Sequence, residues 1–152
     1  MRRSEGLMET IRDRVAGLYV HRDRVVGCVR LAEGEQAKNL KRSFSTMADG
    51  VVELAGWLGE HGVTTAVLES TGVYWKPIYY GLEGRVPELW LVNAMHVKRV
   101  PGRKTDVSDA EWLADVAAHG MVRSSYVPPP PFRELRELTR YRALCRHRHR
   151  AR

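Results

Sequence analysis

Apolar residues fall in short strand-like runs over the first third of the chain and then shift to helical spacing. Val15 to Val20 and Arg24 to Leu31 are two runs rich in β-branched residues. The polar trio His21-Arg22-Asp23 separates them, so they read as a hairpin. A weaker third strand is expected at Ala37 to Ser45. From Thr46 to His61, Val51, Val52, Leu54, Ala55, Trp57 and Leu58 recur at helical intervals, and Gly62 is a suitable terminator. Val63 to Glu69 reads as a buried strand, Val73 to about Glu83 as a second helix, and Glu88 to Asn93 as another short strand. A basic loop then spans Asn93 to Thr105. It feeds a helix capped by Thr105, with Val107, Ala110, Leu113, Ala114 and Ala117 as its apolar stripe and His119-Gly120 at its close. Pro128 to Pro131 predicts an extended spacer without backbone donors. Beyond it Phe132, Leu135, Leu138, Tyr141 and Leu144 recur every third residue, with Pro131 at the first helical position, before the pattern fails in Cys145 to Arg152.

A hairpin followed by strands alternating with helices predicts an α/β fold in which a mixed sheet is flanked by helices. Residues 1 to 14 read as a disordered extension with Met8 as an alternative start, 15 to 127 as the globular domain, 128 to 131 as a proline linker, and 132 to 152 as the start of a basic helix. A chain of 152 residues is long enough for one core, burying roughly 68–70% of the surface its unfolded form exposes.

Composition changes this picture mainly through charge. The formal net charge is +7, but its distribution is uneven. Residues 1 to 131 hold 17 Lys and Arg against 16 Asp and Glu, whereas residues 132 to 152 hold 8 Arg against 2 Glu. The body is balanced and the tail is cationic, which points to an anionic partner. No apolar run approaches the ~20 residues of a membrane span, and the first residues lack a signal-peptide core. A cytoplasmic protein is expected. Cys28 and Cys145 fit no metal spacing and read as free thiols.

Candidate chemistry gathers where the basic loop meets the capped helix. Asp106 and Asp109 fall three positions apart, which places both carboxylates on one side of a first helical turn, roughly 5–6 Å apart at Cβ. Taken alone, such acids are ordinary partners of the helix macrodipole. Glu69 ends a strand that should be parallel, and sites gather beyond the carboxyl ends of such strands; taken alone, it is an acid reaching solvent. Three converging carboxylates would repel one another unless a divalent cation relieved them, and all-oxygen ligation suits Mg²⁺ or Mn²⁺. His96, Lys98, Arg99, Arg103 and Lys104 lie beside these acids, either as a solvated surface or as guides for a phosphate backbone. Tyr74, Trp75, Tyr79 and Tyr80 are able to stack on bases, although Trp75 and Tyr79 at i, i+4 are better read as core packing.

Three segments carry a resemblance: LESTGVYWKP (Leu68 to Pro77), LVNAMHVKRVPGRKTDVSDAEWLADVAAHG (Leu91 to Gly120) and RELRELTRYR (Arg133 to Arg142). Together they resemble the amino-terminal region of IS110-family transposases, over most of the chain from about Val15 to Arg142. The resemblance implies a RuvC-like, ribonuclease H-type domain. Its four acids, in the order Asp, Glu, Asp, Asp, would bind Mg²⁺ and act on DNA phosphodiesters. It also implies a separate domain with a nucleophilic serine, oligomeric assembly and a structured guide RNA. Glu69, Asp106 and Asp109 match the second, third and fourth acids, and Arg103 and Lys104 match the basic lead-in. Arg133, Arg136 and Arg140 join the loop cations as candidate nucleic-acid contacts.

Two departures accompany the match. The family's first strand resembles GIDVHK, and Gly17-Leu18-Tyr19-Val20-His21-Arg22 places Tyr19 where the first Asp belongs. A phenol is neutral at pH 7 and a poor ligand, so a site with an altered first position is expected. The serine-bearing domain is also absent, which reads as a truncated element copy that does not transpose alone. The rival reading is a non-catalytic nucleic-acid-binding module acting through its basic tail. A nucleotide-binding domain is disfavoured because no Gly-rich phosphate loop follows a strand.

Overall fold

A computed structural model describes residues 10–103 and 107–150, with side chains through Arg148. Ten elements follow in order: β1 (Arg14–Val20), β2 (Arg24–Glu33), β3 (Gln36–Ser45), α1 (Ala48–Glu60), β4 (Thr65–Glu69), α2 (Trp75–Leu82), β5 (Glu88–Val92), α3 (Ala94–Arg99), α4 (Asp109–Ala118) and α5 (Pro130–Arg150). The strands form one sheet in the order β3-β2-β1-β4-β5. β1 to β3 are antiparallel neighbours, while β4 pairs in parallel with both β1 and β5. The expected mixed sheet is therefore present, with its parallel half built from the strands that alternate with helices. Among the described residues, no helix is long and apolar enough to cross a membrane.

Strand alternation divides the core in two. Ala16, Leu18, Val25, Val29, Ala66, Leu68 and Leu91 point to one face, where Leu54, Trp57 and Leu58 of α1 and Ile78, Tyr79 and Leu82 of α2 cover them. Val15, Val67 and Val92 point to the other, against Trp112, Leu113, Val116 and Ala117 of α4. Both faces of the central strands are thus dry, which explains the near-continuous apolar runs Val15 to Leu18 and Ala66 to Leu68.

Helix α4 lies unusually close to β1. A Cβ built on Gly17 would fall 2.0 Å from the Ala110 carbonyl oxygen and 2.6 Å from the Ala114 amide nitrogen. Only a residue without a side chain permits this approach, and the helix backbone rests directly on the strand. The amino end of α4 meets the carboxyl-terminal half of β1, and its other end accepts backbone bonds from Ile11 and Arg12 at Ala118. The helix consequently runs antiparallel to β1 and delivers its first residue to the carboxyl edge of the parallel strands.

Four boundaries differ from expectation. α4 begins at Asp109 and is capped by Ser108, whose Oγ accepts from the Glu111 amide at 3.4 Å. The predicted Thr105 cap and the shared first turn of Asp106 and Asp109 are replaced by this later start; Lys104, Thr105 and Asp106 lie outside the described residues. The basic loop contains α3, capped by the Asn93 side chain, which accepts from Met95 at 2.8 Å. α5 starts inside the proline run at Pro130, because proline is tolerated in a first turn whose amides have no helical partner. Its far end continues through the Arg- and His-rich segment to Arg150.

Candidate functional site

The carboxyl edge of β1 and β4, on the face covered by α4, gathers Glu69, Asp109 and part of the basic segment. Glu69 is the last residue of β4 and shares the α4 side with Val67 by strand alternation. Asp109 opens α4. Both line one cavity of about 120 Å³, together with Val97, Lys98, Val100, Arg103 and Trp112. Its floor is apolar: Val97 and Trp112 are buried, and the indole Nε1 donates to the Val97 carbonyl at 3.4 Å, tying α4 to α3. An apolar floor strengthens every charge interaction above it.

The two carboxylates are held differently. Glu69 Oε1 accepts from Thr71 Oγ1 at 2.7 Å, a bond supplied by the turn that follows the strand. Asp109 Oδ1 accepts from Arg103 Nη2 at 2.9 Å, and the same nitrogen donates to the Val107 carbonyl at 2.9 Å. Arg103 thus folds its loop back onto the helix start. Both side chains of this pair are about 40% exposed, so the contact contributes roughly 0–1 kcal/mol. That is weak enough for a stronger ligand of Asp109 to displace it.

The donor set fits a small hard cation. Among the described residues, no group of three or more His, Cys, Asp or Glu converges, but Mg²⁺ is commonly held by one or two carboxylates plus waters and substrate phosphates. The cavity's 120 Å³ equals the liquid share of about four waters at ~30 Å³ each. Asp106 immediately precedes this segment and lies outside the described residues.

Not every predicted residue joins this cavity. His96 and Arg99 belong to α3 but do not line it, and Lys104 is undescribed. Arg133, Arg136 and Arg140 lie on α5 around a second cavity of about 270 Å³ beside α2. Tyr19 follows Leu18, which is in register with Leu68, so it lies one position along beside Glu69 on the α4 face. Its ring meets His21 edge-on at 4.5 Å, outside the lining of the acidic cavity. Tyr79 is buried and Trp75 meets its ring edge-on at 5.8 Å, in keeping with the packing role read from their spacing.

Several supporting residues carry no motif. Lys41 of β3 pairs with Glu111 of α4, and Asn39 Nδ2 donates to Glu111 Oε1 at 2.9 Å. Arg30 of β2, nearly buried, approaches Asp115 at 3.4 Å, and His119 Nδ1 lies 3.4 Å from the same carboxylate. The bond from Lys41 holds the Glu111 carboxyl below its ordinary range, and the same contact raises Lys41. The detectable signal was alternation: Asn39 and Lys41 share a face of β3, while Glu111 and Asp115 are one helical turn apart.

A transposase family model for IS110-type DEDD proteins matches residues 16–151. No curated protein sequence matches the chain. Among solved structures, Thermus thermophilus RuvC superposes with a TM-score of 0.53 at 15% identity, covering 74% of this chain and 99% of that one. The same organism's RuvC in complex with a Holliday junction substrate gives 0.52 at 14% identity, covering 75% and 100%. Family match and fold agree with the sheet order: the chain belongs to the IS110 family of transposases and has a RuvC-like fold.

Proposed function

We propose that this domain performs metal-dependent phosphodiester chemistry on DNA in transposition, with Glu69, Asp106 and Asp109 as the carboxylates that hold Mg²⁺. The single observation that supports it best is the convergence of Glu69 and Asp109, 40 positions apart in the sequence, on one small cavity bordered by Lys98 and Arg103. The RuvC likeness adds DNA as the partner, since one of the similar structures holds a Holliday junction. Bound there, a divalent ion would act as a Lewis acid on a phosphoryl oxygen and lower the pKa of a coordinated water.

The chain's own residues have three tasks. Thr71 keeps Glu69 oriented, and Ser108 caps the helix that presents Asp109. Arg103, freed from Asp109, and Lys98 would receive the phosphate backbone, while His96, Arg99 and Lys104 extend the cationic approach. Arg133, Arg136 and Arg140 would contact nucleic acid from α5, and an element-encoded guide RNA is the second polyanion we propose for this cationic surface. The exposed Phe132, Leu135, Leu138, Tyr141 and Leu144 supply an apolar surface for self-association of the chain into an oligomer.

Tyr19 weakens the centre by replacing a carboxylate with a neutral phenol. Titration calorimetry with Mg²⁺ and Mn²⁺ is the test. Glu69→Gln and Asp109→Asn should each lower affinity about tenfold or more, and Tyr19→Asp should raise it. Equal binding by the parent, Glu69→Gln and Asp109→Asn would remove the metal assignment. Equal binding by the parent and Tyr19→Asp would remove only the role given to Tyr19.

A further inference from the structure

The second cavity lies on the opposite face of the sheet from the acidic one. It is formed where α2, the segment Tyr126-Val127-Pro128 and the first turns of α5 meet over Leu91 near the end of β5. Three aromatic residues line it, Trp75, Tyr80 and Tyr126, together with four cations, Lys76, Arg133, Arg136 and Arg140, against one acid, Glu137. Lys76, Arg136 and Arg140 form no ion pair with a described residue.

Arg133 is the built part of this site. Its guanidinium lies 4.0 Å from the centre of the Tyr80 ring, and Nη2 donates to Glu83 Oε2 at 2.7 Å. Nη1 is buried and makes no hydrogen bond within the protein, so Arg133 serves the site by bracing the Tyr80 ring and not as a donor open to a ligand. Tyr126 is 81% exposed, a large aromatic surface standing in solvent at the rim. At about 270 Å³ the space falls just below the ~300–1,000 Å³ of clefts that enclose drug-sized ligands. It has room for a flat ring but not for a duplex.

We propose that this cavity binds single-stranded nucleic acid, taking one unstacked base against its aromatic wall while Lys76, Arg136 and Arg140 hold the flanking phosphates. The inference rests on the nucleic-acid role given above to the α5 arginines and adds the form of the ligand and its aromatic contacts. Flat aromatic faces combined with unpaired cations suit a strand whose bases are splayed out, whereas cations alone would serve duplex phosphates equally well. An acidic peptide would use the cations but gain little from three aromatic rings.

Fluorescence anisotropy of the full chain with a labelled oligothymidylate, an oligouridylate of equal length and a matched duplex tests this. Tyr126→Ala should lower single-strand affinity by about five- to 150-fold, the range carried by one base stacked on one aromatic, and leave duplex affinity unchanged. Tyr126→Phe should bind as the parent does, because the ring and not the hydroxyl is used. Tighter binding of the uridylate would identify RNA as the source of the strand; tighter binding of the thymidylate would identify DNA. The proposal falls if Tyr126→Ala binds single strands like the parent, if single-strand and duplex affinity drop together, or if oligoglutamate competes as well as the oligonucleotide. Glu69→Gln should retain single-strand binding while losing Mg²⁺, and Tyr126→Ala should retain Mg²⁺, so the two sites fail separately.

Discussion

At the scale of single residues, Gly17 positions the candidate centre as firmly as the acids themselves. Its missing side chain lets the backbone of α4 rest on β1, and any Cβ there overlaps the Ala110 carbonyl. Gly17→Ala must push the helix outward, and Asp109 moves with it. The expected cost is about 3 kcal/mol, the upper end of ordinary overpacking, read as a lowered midpoint in urea unfolding. Reduced Mg²⁺ affinity should accompany it in the fraction that still folds. Cys28 shares that layer: burial, reinforced by the nearby Glu111 carboxylate, pushes its thiol up to about 11. At about pH 8 only ~1 in 1,000 molecules would then carry the reactive thiolate. Thiol titration with a disulfide reagent should therefore modify Cys145 on α5 in the native protein and reach Cys28 only after denaturant is added. Rapid modification of both would show that α4 does not seal the strand.

At the scale of elements, α4 is fastened at both ends by charge across the β2–β3 hairpin. Lys41 and Asn39 hold Glu111 near the helix start, and Arg30 meets Asp115 near its end. The Lys41–Glu111 pair gives stability a defined pH window. Glu111 titrates below its ordinary 4.5 in the folded chain, so its contribution is present above 4.5 and lost as pH falls through the depressed value. Lys41 titrates above its ordinary 10.5, so its contribution is present below 10.5 and lost as pH rises through the elevated value. The stability gap between the parent and Lys41→Met, which keeps the alkyl stem, should be widest between these limits and close beyond either. With the Lys41 side chain about half exposed, the gap should stay within ~1 kcal/mol. A gap independent of pH in chemical denaturation would assign Lys41 a packing role only.

The sheet was legible because its strands are short apolar runs bounded by polar turns and its helices are closed by glycines, which located β1, β2, β4 and β5. Glu69 was legible as the end of a strand whose last three buried residues, Ala66, Val67 and Leu68, are apolar. What sequence spacing misplaced was the start of α4. Thr105 and Ser108 are both good caps, and local propensity does not choose between them. The close contact at Gly17 and the bond from the Glu111 amide to the Ser108 hydroxyl determine where the helix begins. α3 was hidden because its six residues carry three basic side chains and only one buried residue, Val97, too few for a periodic signal. The ties from Arg30, Asn39 and Lys41 to α4 join residues 70 to 85 positions apart; alternation places Asn39 and Lys41 on one face of β3, but no local pattern reports the crossing of a helix over a hairpin.

At the scale of the molecule, the distribution of charge separates local chemistry from general attraction. The body through Pro131 is nearly neutral, with 17 cations against 16 anions, and the tail carries a net +6 on a helix whose apolar side chains are themselves largely exposed. A near-neutral body has little long-range pull on a polyanion, so duplex affinity should be dominated by the tail and should weaken with added salt. If about six tail arginines meet phosphates, affinity for duplex DNA should fall roughly 10³-fold between 50 and 200 mM salt. Changing Arg142, Arg146 and Arg148 to Gln should flatten the log–log salt slope by about 0.9 for each phosphate contact removed. Mg²⁺ binding should be untouched, since these residues lie on α5 and not around the Glu69–Asp109 cavity. An unchanged slope would move the electrostatic footprint from the tail to the loop cations Lys98 and Arg103, where attraction and chemistry would then share one surface.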